Sequence, residues 1–262
     1  VLLWASTAAA EEFRGFWVDA WGAGILSASQ VKTLLGTPGI ATDRGQIRDA
    51  NCNAVIVQVL AYMDNPPASH GAHWKSAIVP WSSRVTAGFD PLAALCAQAH
   101  ANGIEVHAWL GGSAAAMYRV STVWPPAGNA TLSAHPEWFI APYTNSEANA
   151  VAAVDGVYAL DMGSPDVQEY LVSIVKELVT NYPIDGINWD DELNTTGYNI
   201  GFGYPAYSQA NYPRSGLARY RINTGAVGTP VNTDTAWANY RRRFKNELMA
   251  RVQAEMQSIK TN

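Results

Sequence analysis

The chain has 262 residues, 48% of them hydrophobic and 11% aromatic but only 15% charged, against about 25% charged in an average globular protein. A formal net charge of −5 and a pI near 5.5, with no run of Lys or Arg, leave no surface for neutralising phosphates and exclude a nucleic-acid partner. No internal stretch reaches the ~18–20 continuous apolar residues of a membrane helix, so no membrane span is expected. Ten Trp and twelve Tyr are the compositional excess. Such side chains fill cores, and they also line clefts where flat apolar faces stack on ligand rings.

In chain order, VLLWASTAAA (1–10) has the form of the end of a secretory signal. An apolar stretch is followed by Ala8 and Ala10 in cleavage-site spacing and then by Glu11 and Glu12, without the basic start of such a signal. Residues 1–10 are therefore expected to be a signal remnant, 11–262 the folded part, and the location secreted or periplasmic. FRGFWVDAW (13–21) predicts a strand. SASQVKTLL (27–35) predicts a helix opened by Ser27 or Ser29. NAVIVQV (53–59) has the continuous apolar character of a parallel strand buried on both faces. A loop over 63–88, rich in Pro, His, Trp and Ser, is too long for an ordinary connection and is a candidate functional loop.

Asp90 and Pro91 then predict a helix N-terminus, and Gly103 its end. IEVHAWL (104–110) predicts a third strand, and an irregular stretch follows to Val157. Ser164 and Pro165 open a strong helix with apolar residues at Val167, Leu171, Ile174, Val175 and Leu178. IDGINWDDE (184–192) predicts a fourth strand. A Gly/Tyr/Asn-rich loop (193–233) leads to a last helix that nearly reaches the terminus. Four strand–helix units argue for a parallel α/β sheet, either open or the first half of a (β/α)8 barrel. Cys52 and Cys96 sit among apolar residues and are expected to be buried free thiols.

The densest chemistry lies on the fourth strand. Alternation puts Asn188, Asp190 and Glu192 on one face and Ile187, Trp189 and Asp191 on the other. The apolar pair suits the layer under the helices, so the polar triplet should face the barrel interior or cleft. Neighbouring carboxylates in a dry site do not both ionise easily, and one can then serve as an acid near neutral pH. The same alternation groups Glu105, His107 and Trp109 on strand three, Gln58 with Tyr62 on strand two, and Trp17 with Asp19 on strand one. Convergence of these side chains at the strand ends is the signature of a binding site. His70 and His73, with Asp64 upstream, have donors of the type a metal takes, but a non-helical loop fixes no ligand geometry for them. Phosphate-loop and nucleophile-elbow motifs are absent from the sequence.

The E-x-R-G-x-W start (Glu12 to Trp17), the PWS and DPL segments, the H-A-W of strand three and the N-Y-x-x-D-G-I-x-x-D-D of strand four together resemble glycosyl-hydrolase-like family ten. The resemblance runs over about residues 12–260. It implies a TIM-type barrel, of which this chain would hold only the first four units, and an extracytoplasmic enzyme acting on bacterial glycans such as peptidoglycan strands. The pattern departs from the family at Leu60, at Gly111 with Gly112, and at Glu192. D-G-I-x-x-D-x-E also partly resembles strand four of chitinase-like family eighteen, whose terminal Glu is the proton donor, with Asn188 in place of one acid.

The expected function is thus a glycoside hydrolase with catalytic Asp190, Glu192 and Asp191. Trp17, Asp19, Gln58, Tyr62, Asp64, His107, Trp109 and Asn188 would bind a poly- or oligosaccharide, with no cofactor and no metal. A glycan-binding barrel without catalysis and a metal-dependent polysaccharide deacetylase are the alternatives.

Overall fold

The computed structural model describes residues 12–20, 24–60, 71–111, 118–119, 130–139, 157–158, 160–189, 216–228, 230 and 234–260. In chain order the elements are β1 (Gly15–Val18), α1 (Ala28–Leu35), α2 (Gly45–Asp49), β2 (Ala54–Leu60), α3 (Pro91–His100), β3 (Glu105–Leu110) and β4 (Tyr118–Arg119). They continue with α4 (Ala130–Ala134), a 3-10 turn (Pro136–Trp138), β5 (Val157–Tyr158), α5 (Pro165–Asn181), β6 (Gly186–Trp189), α6 (Gly216–Thr224) and α7 (Thr235–Ile259).

Four strands form one parallel sheet in the order β1-β2-β3-β6, while β4 and β5 make a small antiparallel pair. The four expected strands and the strong helices between them are all present, with bounds that differ by a few residues within the described segments. The first strand pairs only over residues 15–18. Two expectations need correction. The region 193–233, expected to be loop, contains α6, and the stretch expected to be irregular up to Val157 contains β4, β5 and α4. Cys96 is buried, and burial pushes its thiol up to about 12. Cys52, however, is only half-buried, because it lies in the turn that leads from α2 into β2.

Register sorts the strand residues into rows. Val18, Val57, Ala108 and Ile187 form one row, and Val18, Val57 and Ala108 share a core with Leu34 and Leu35 of α1, Leu92 and Leu95 of α3, and Leu171 and Val175 of α5. The alternate row, Trp17, Ile56, His107 and Gly186, lies on the other face. In β3 the pattern is direct: Val106, Ala108 and Leu110 are buried, whereas Glu105 is exposed and His107 and Trp109 are half-buried.

Local chemistry explains the helix ends. The Asp90 carboxylate accepts from the Ala93 N–H at 3.1 Å and Pro91 occupies the first turn. Ser27 accepts from the Gln30 N–H, and Asp234 from the N–H groups of Ala236 and Trp237. Ser164 sits at the head of α5 without a side-chain capping bond. Trp237, Tyr240, Phe244, Leu248 and Val252 recur at helical spacing and form the buried stripe of α7, whose Tyr240 packs edge-to-face on Phe244 at 4.9 Å. A buried ion pair, Arg219 to Asp161 at 2.5 Å, ties α6 to the segment before α5.

Two polar knots fasten the layers. Glu177 of α5 accepts from Trp74 Nε1 at 2.8 Å, Ser76 Oγ at 2.5 Å and the Ala77 N–H at 2.6 Å, which pins the segment after β2 to α5. Beside it, the Tyr182 hydroxyl donates to Asp90 and accepts from the Lys75 N–H. Burial pushes that phenol up to about 12, so it remains a donor at neutral pH. In the second knot, Asp185 Oδ2 accepts from the Val106 N–H at 2.7 Å and bonds His100 Nε2 at 2.9 Å, just before β6. Burial opposes ionisation of Asp185 most strongly, but the bonds from Val106 and His100, with nearby positive charge, outweigh it and hold the carboxyl below its ordinary range.

Replacing Glu177 by Ala leaves the donors of Trp74, Ser76 and Ala77 without their acceptor and should cost about 2 kcal/mol, read as a lowered Tm in thermal denaturation. Because Asp185 has a depressed folded-state pKa, its stabilising contribution is complete above the unfolded value of about 4 and is lost as pH falls through the lower folded value. Asp185→Asn should therefore be less stable than wild type at neutral pH, with the gap closing in acid, as followed by chemical denaturation across pH 2–7.

Candidate functional site

The face of the sheet turned away from the helices carries the side chains that alternation assigns to a site. Trp17, His107, Trp109 and Asn188 all lie there, on β1, β3 and β6. Trp109 pairs in register with Asn188 on one side and Gln58 on the other. Trp17 packs edge-to-face on Trp109, with ring centroids 5.1 Å apart, and remains 53% exposed. A large aromatic presented to solvent on an inner sheet face, steadied by a second indole, is a stacking platform for a flat apolar ligand surface.

His107 sits one row lower than Trp109, beside Gly186. Its Nε2 bonds Glu105 Oε2 at 2.9 Å, and its ring meets Phe13 edge-on at 5.1 Å. Glycine at 186 makes the space for the imidazole, since a Cβ there would overlap Nδ1 and come within 2.9 Å of Cε1. His107 is thus fixed from three sides and supports the row above it. Gln58, expected as a substrate-binding residue, is 6% exposed, and its Oε1 accepts from the Ala20 N–H at 2.9 Å. Ala20 O in turn accepts from Arg84 Nη1 at 2.7 Å. Gln58 therefore staples the end of β1 to β2.

Asp19 is exposed and follows β1 directly. With Trp17 it borders a cavity of about 250 Å³ that wraps the outer edge of β1 and is closed by Gln30, Thr33 and Leu34 of α1 and Gln46 of α2. On β3 and β6, Trp109 Nε1 and Asn188 Nδ2 are shielded from solvent and have no hydrogen-bond partner among the described residues.

Asp190, Asp191 and Glu192, together with Tyr62, Asp64 and His70, lie outside the described residues. His73 is described and buried, with its N–H donating to Val59 O. Among the described residues no group of three or more His, Cys, Asp or Glu is arranged to hold a metal, and no helix is long and apolar enough to cross a membrane. Residue-type reasoning missed Phe13 and Gly186. Phe13 follows the same odd-numbered alternation as Trp17, and Gly186 is detectable only through its register with His107.

Among the described residues, the parallel α/β sheet gathers aromatic and polar side chains on the face opposite α1, α3 and α5. The chain belongs to the glycosyl hydrolase-like 10 family, which it matches over residues 39–262. It is 32% identical over 202 residues to glycosyl hydrolase DigH of Escherichia coli K12, an alignment of 72% of this chain and 39% of that protein. It is 27% identical over 180 residues to glycosyl hydrolase YngK of Bacillus subtilis 168, covering 65% of this chain and 30% of that protein. The chain therefore spans well under half the length of the curated relatives it matches.

Solved structures of glycosidases are similar in fold to this chain. An α-L-fucosidase isoenzyme 2 from Paenibacillus thiaminolyticus matches with a TM-score of 0.57 at 16% identity, over 95% of this chain and 31% of that one. An α-galactosidase from Lactobacillus brevis matches with a TM-score of 0.51 at 12% identity, over 95% and 26%.

Gly186→Ala should displace the His107 ring from Glu105 and lower stability by about 1–3 kcal/mol. Adding His107→Ala to that variant should recover part of the loss, a coupling measurable by a double-mutant denaturation cycle.

Proposed function

We propose that the chain forms the first four units of a (β/α)8 barrel, and that the protein hydrolyses glycosidic bonds of a bacterial cell-wall or extracellular glycan. Sequential strand order with the helices on one face supports the barrel, because doubly wound sheets reverse their order and cover both faces. The observation that carries the function is the row formed by Trp109 and Asn188 beside Trp17, two positions before Asp190 in the sequence. Family membership supports the same reading. The apolar segment with small residues at 1–10 supports a secreted or periplasmic location.

In this reading Trp17 holds a sugar face, and Trp109 and Asn188 beside it bond substituents. Glu192 or Asp190 protonates the glycosidic oxygen, and the other steadies the positive charge that develops on the sugar or orients an acetamido group. Residues two apart on a strand are about 6.5–7 Å apart, and they project to the same side of the ring. Opposed carboxyl groups stand about 5–5.5 Å apart in retaining enzymes and about 6.5–9.5 Å in inverting ones. The opposing group is therefore Asp19 or Asp64 from another strand end, a residue of the remaining barrel units, or the acetamide of the substrate itself.

Turnover of purified cell-wall glycan by the full-length protein should fall at least about a hundredfold in Asp190→Asn or Glu192→Gln, the contribution of general acid catalysis. Unchanged product formation in both would remove the assignment, and retained glycan affinity without product in wild type would identify a binding barrel.

A further inference from the structure

We infer that Trp109 Nε1 and Asn188 Nδ2 form a two-donor cradle for one acceptor oxygen on the bound sugar, and that this pair determines specificity. The inference rests on the glycosidase reading and deepens it. The two residues are register partners on β3 and β6, so their side chains leave the sheet on the same face from strands about 4.8 Å apart. Each carries an N–H that is shielded from solvent and has no partner among the described residues. Buried donors are almost always satisfied, because leaving one unpaired sacrifices its hydration without return.

Trp109 cannot turn away to water, since its indole is held by the edge-to-face contact with Trp17. Asn188 lies between Ile187 and Trp189, both packed against the core, which fixes its backbone. Indole N–H has no acceptor capacity, so the missing partner is an acceptor, and on a sugar the acceptors are oxygens. The exposed Trp17 next to it supplies the apolar floor that a sugar face needs. A sugar stacked on Trp17 with one substituent oxygen between Trp109 and Asn188 satisfies both donors at once.

The test compares full-length wild type with Trp109→Phe, Asn188→Leu and the double variant, using purified bacterial cell-wall glycan strands as probe. Each single substitution should lower kcat/KM about tenfold, the effect of one hydrogen bond. The double variant should lose less than the product of the two, because both donors address one oxygen. Tm should stay the same or rise in Asn188→Leu, since an unsatisfied donor is replaced by an apolar group of similar size.

Wild-type kcat/KM in both single variants would overturn the cradle, as would losses that multiply independently or that follow a fall in Tm. If wild type cleaves no glycan, the glycosidase reading fails by itself. The same four proteins then test the cradle by affinity, with weakened calorimetric binding in the variants supporting it and equal or absent binding overturning it.

Discussion

Everything in this structure depends on parallel, in-register pairing across β1, β2, β3 and β6. Pairing of Val18 with Val57, Val57 with Ala108 and Ala108 with Ile187 aligns apolar residues under the helices. The same pairing forces the alternate residues, among them Trp17, His107, Trp109 and Asn188, onto the opposite face. A slip of one residue in β2 or β3 would turn Gln58 or His107 toward the helices and turn valines away from them. Helix packing therefore enforces the site geometry, and the cost of exposing core residues protects the arrangement of side chains that contribute little to the core.

That dependence explains how much could be foreseen. Two-residue alternation is a local property, so the grouping of His107 with Trp109, and of Asn188 with the face opposite Ile187, was legible in a single strand. The parallel direction followed from the alternation of strands with helices, while the order β1-β2-β3-β6 came from the structure. Gln58 shows where the rule stops. Alternation correctly puts it on the inner face with Trp109, but only the three-dimensional path of β1 brings the Ala20 N–H to its oxygen. Register also shifts between Gln58 and Leu60, so alternation carried from Gln58 to Tyr62 crosses a bulge that the apolar run does not announce.

Charge is sparse, and the described carboxylates that receive several hydrogen bonds hold segments together. Asp90 links the head of α3 to Tyr182, Asp161 binds Arg219 and the Gly163 N–H, and Asp185 joins β6 to β3 and α3. Such contacts are invisible to residue-type reasoning because the partners are far apart in the chain. A carboxylate that looks like a solvated surface residue in sequence proves to be an anchor, and low overall charge leaves few competing partners for it.

The Glu177 knot has a consequence for the order in which the protein is made. Its three donors lie 100 to 103 residues before it, and at roughly 5–20 residues per second that distance is about 5–20 s of synthesis. During that interval β3 is added after β2 while the segment between them is untied, and Trp74 lacks the acceptor that holds it in the folded protein. The segment beside the sheet thus gains this anchor only after α5 has been synthesised, so its tying down is a late step in the making of the chain.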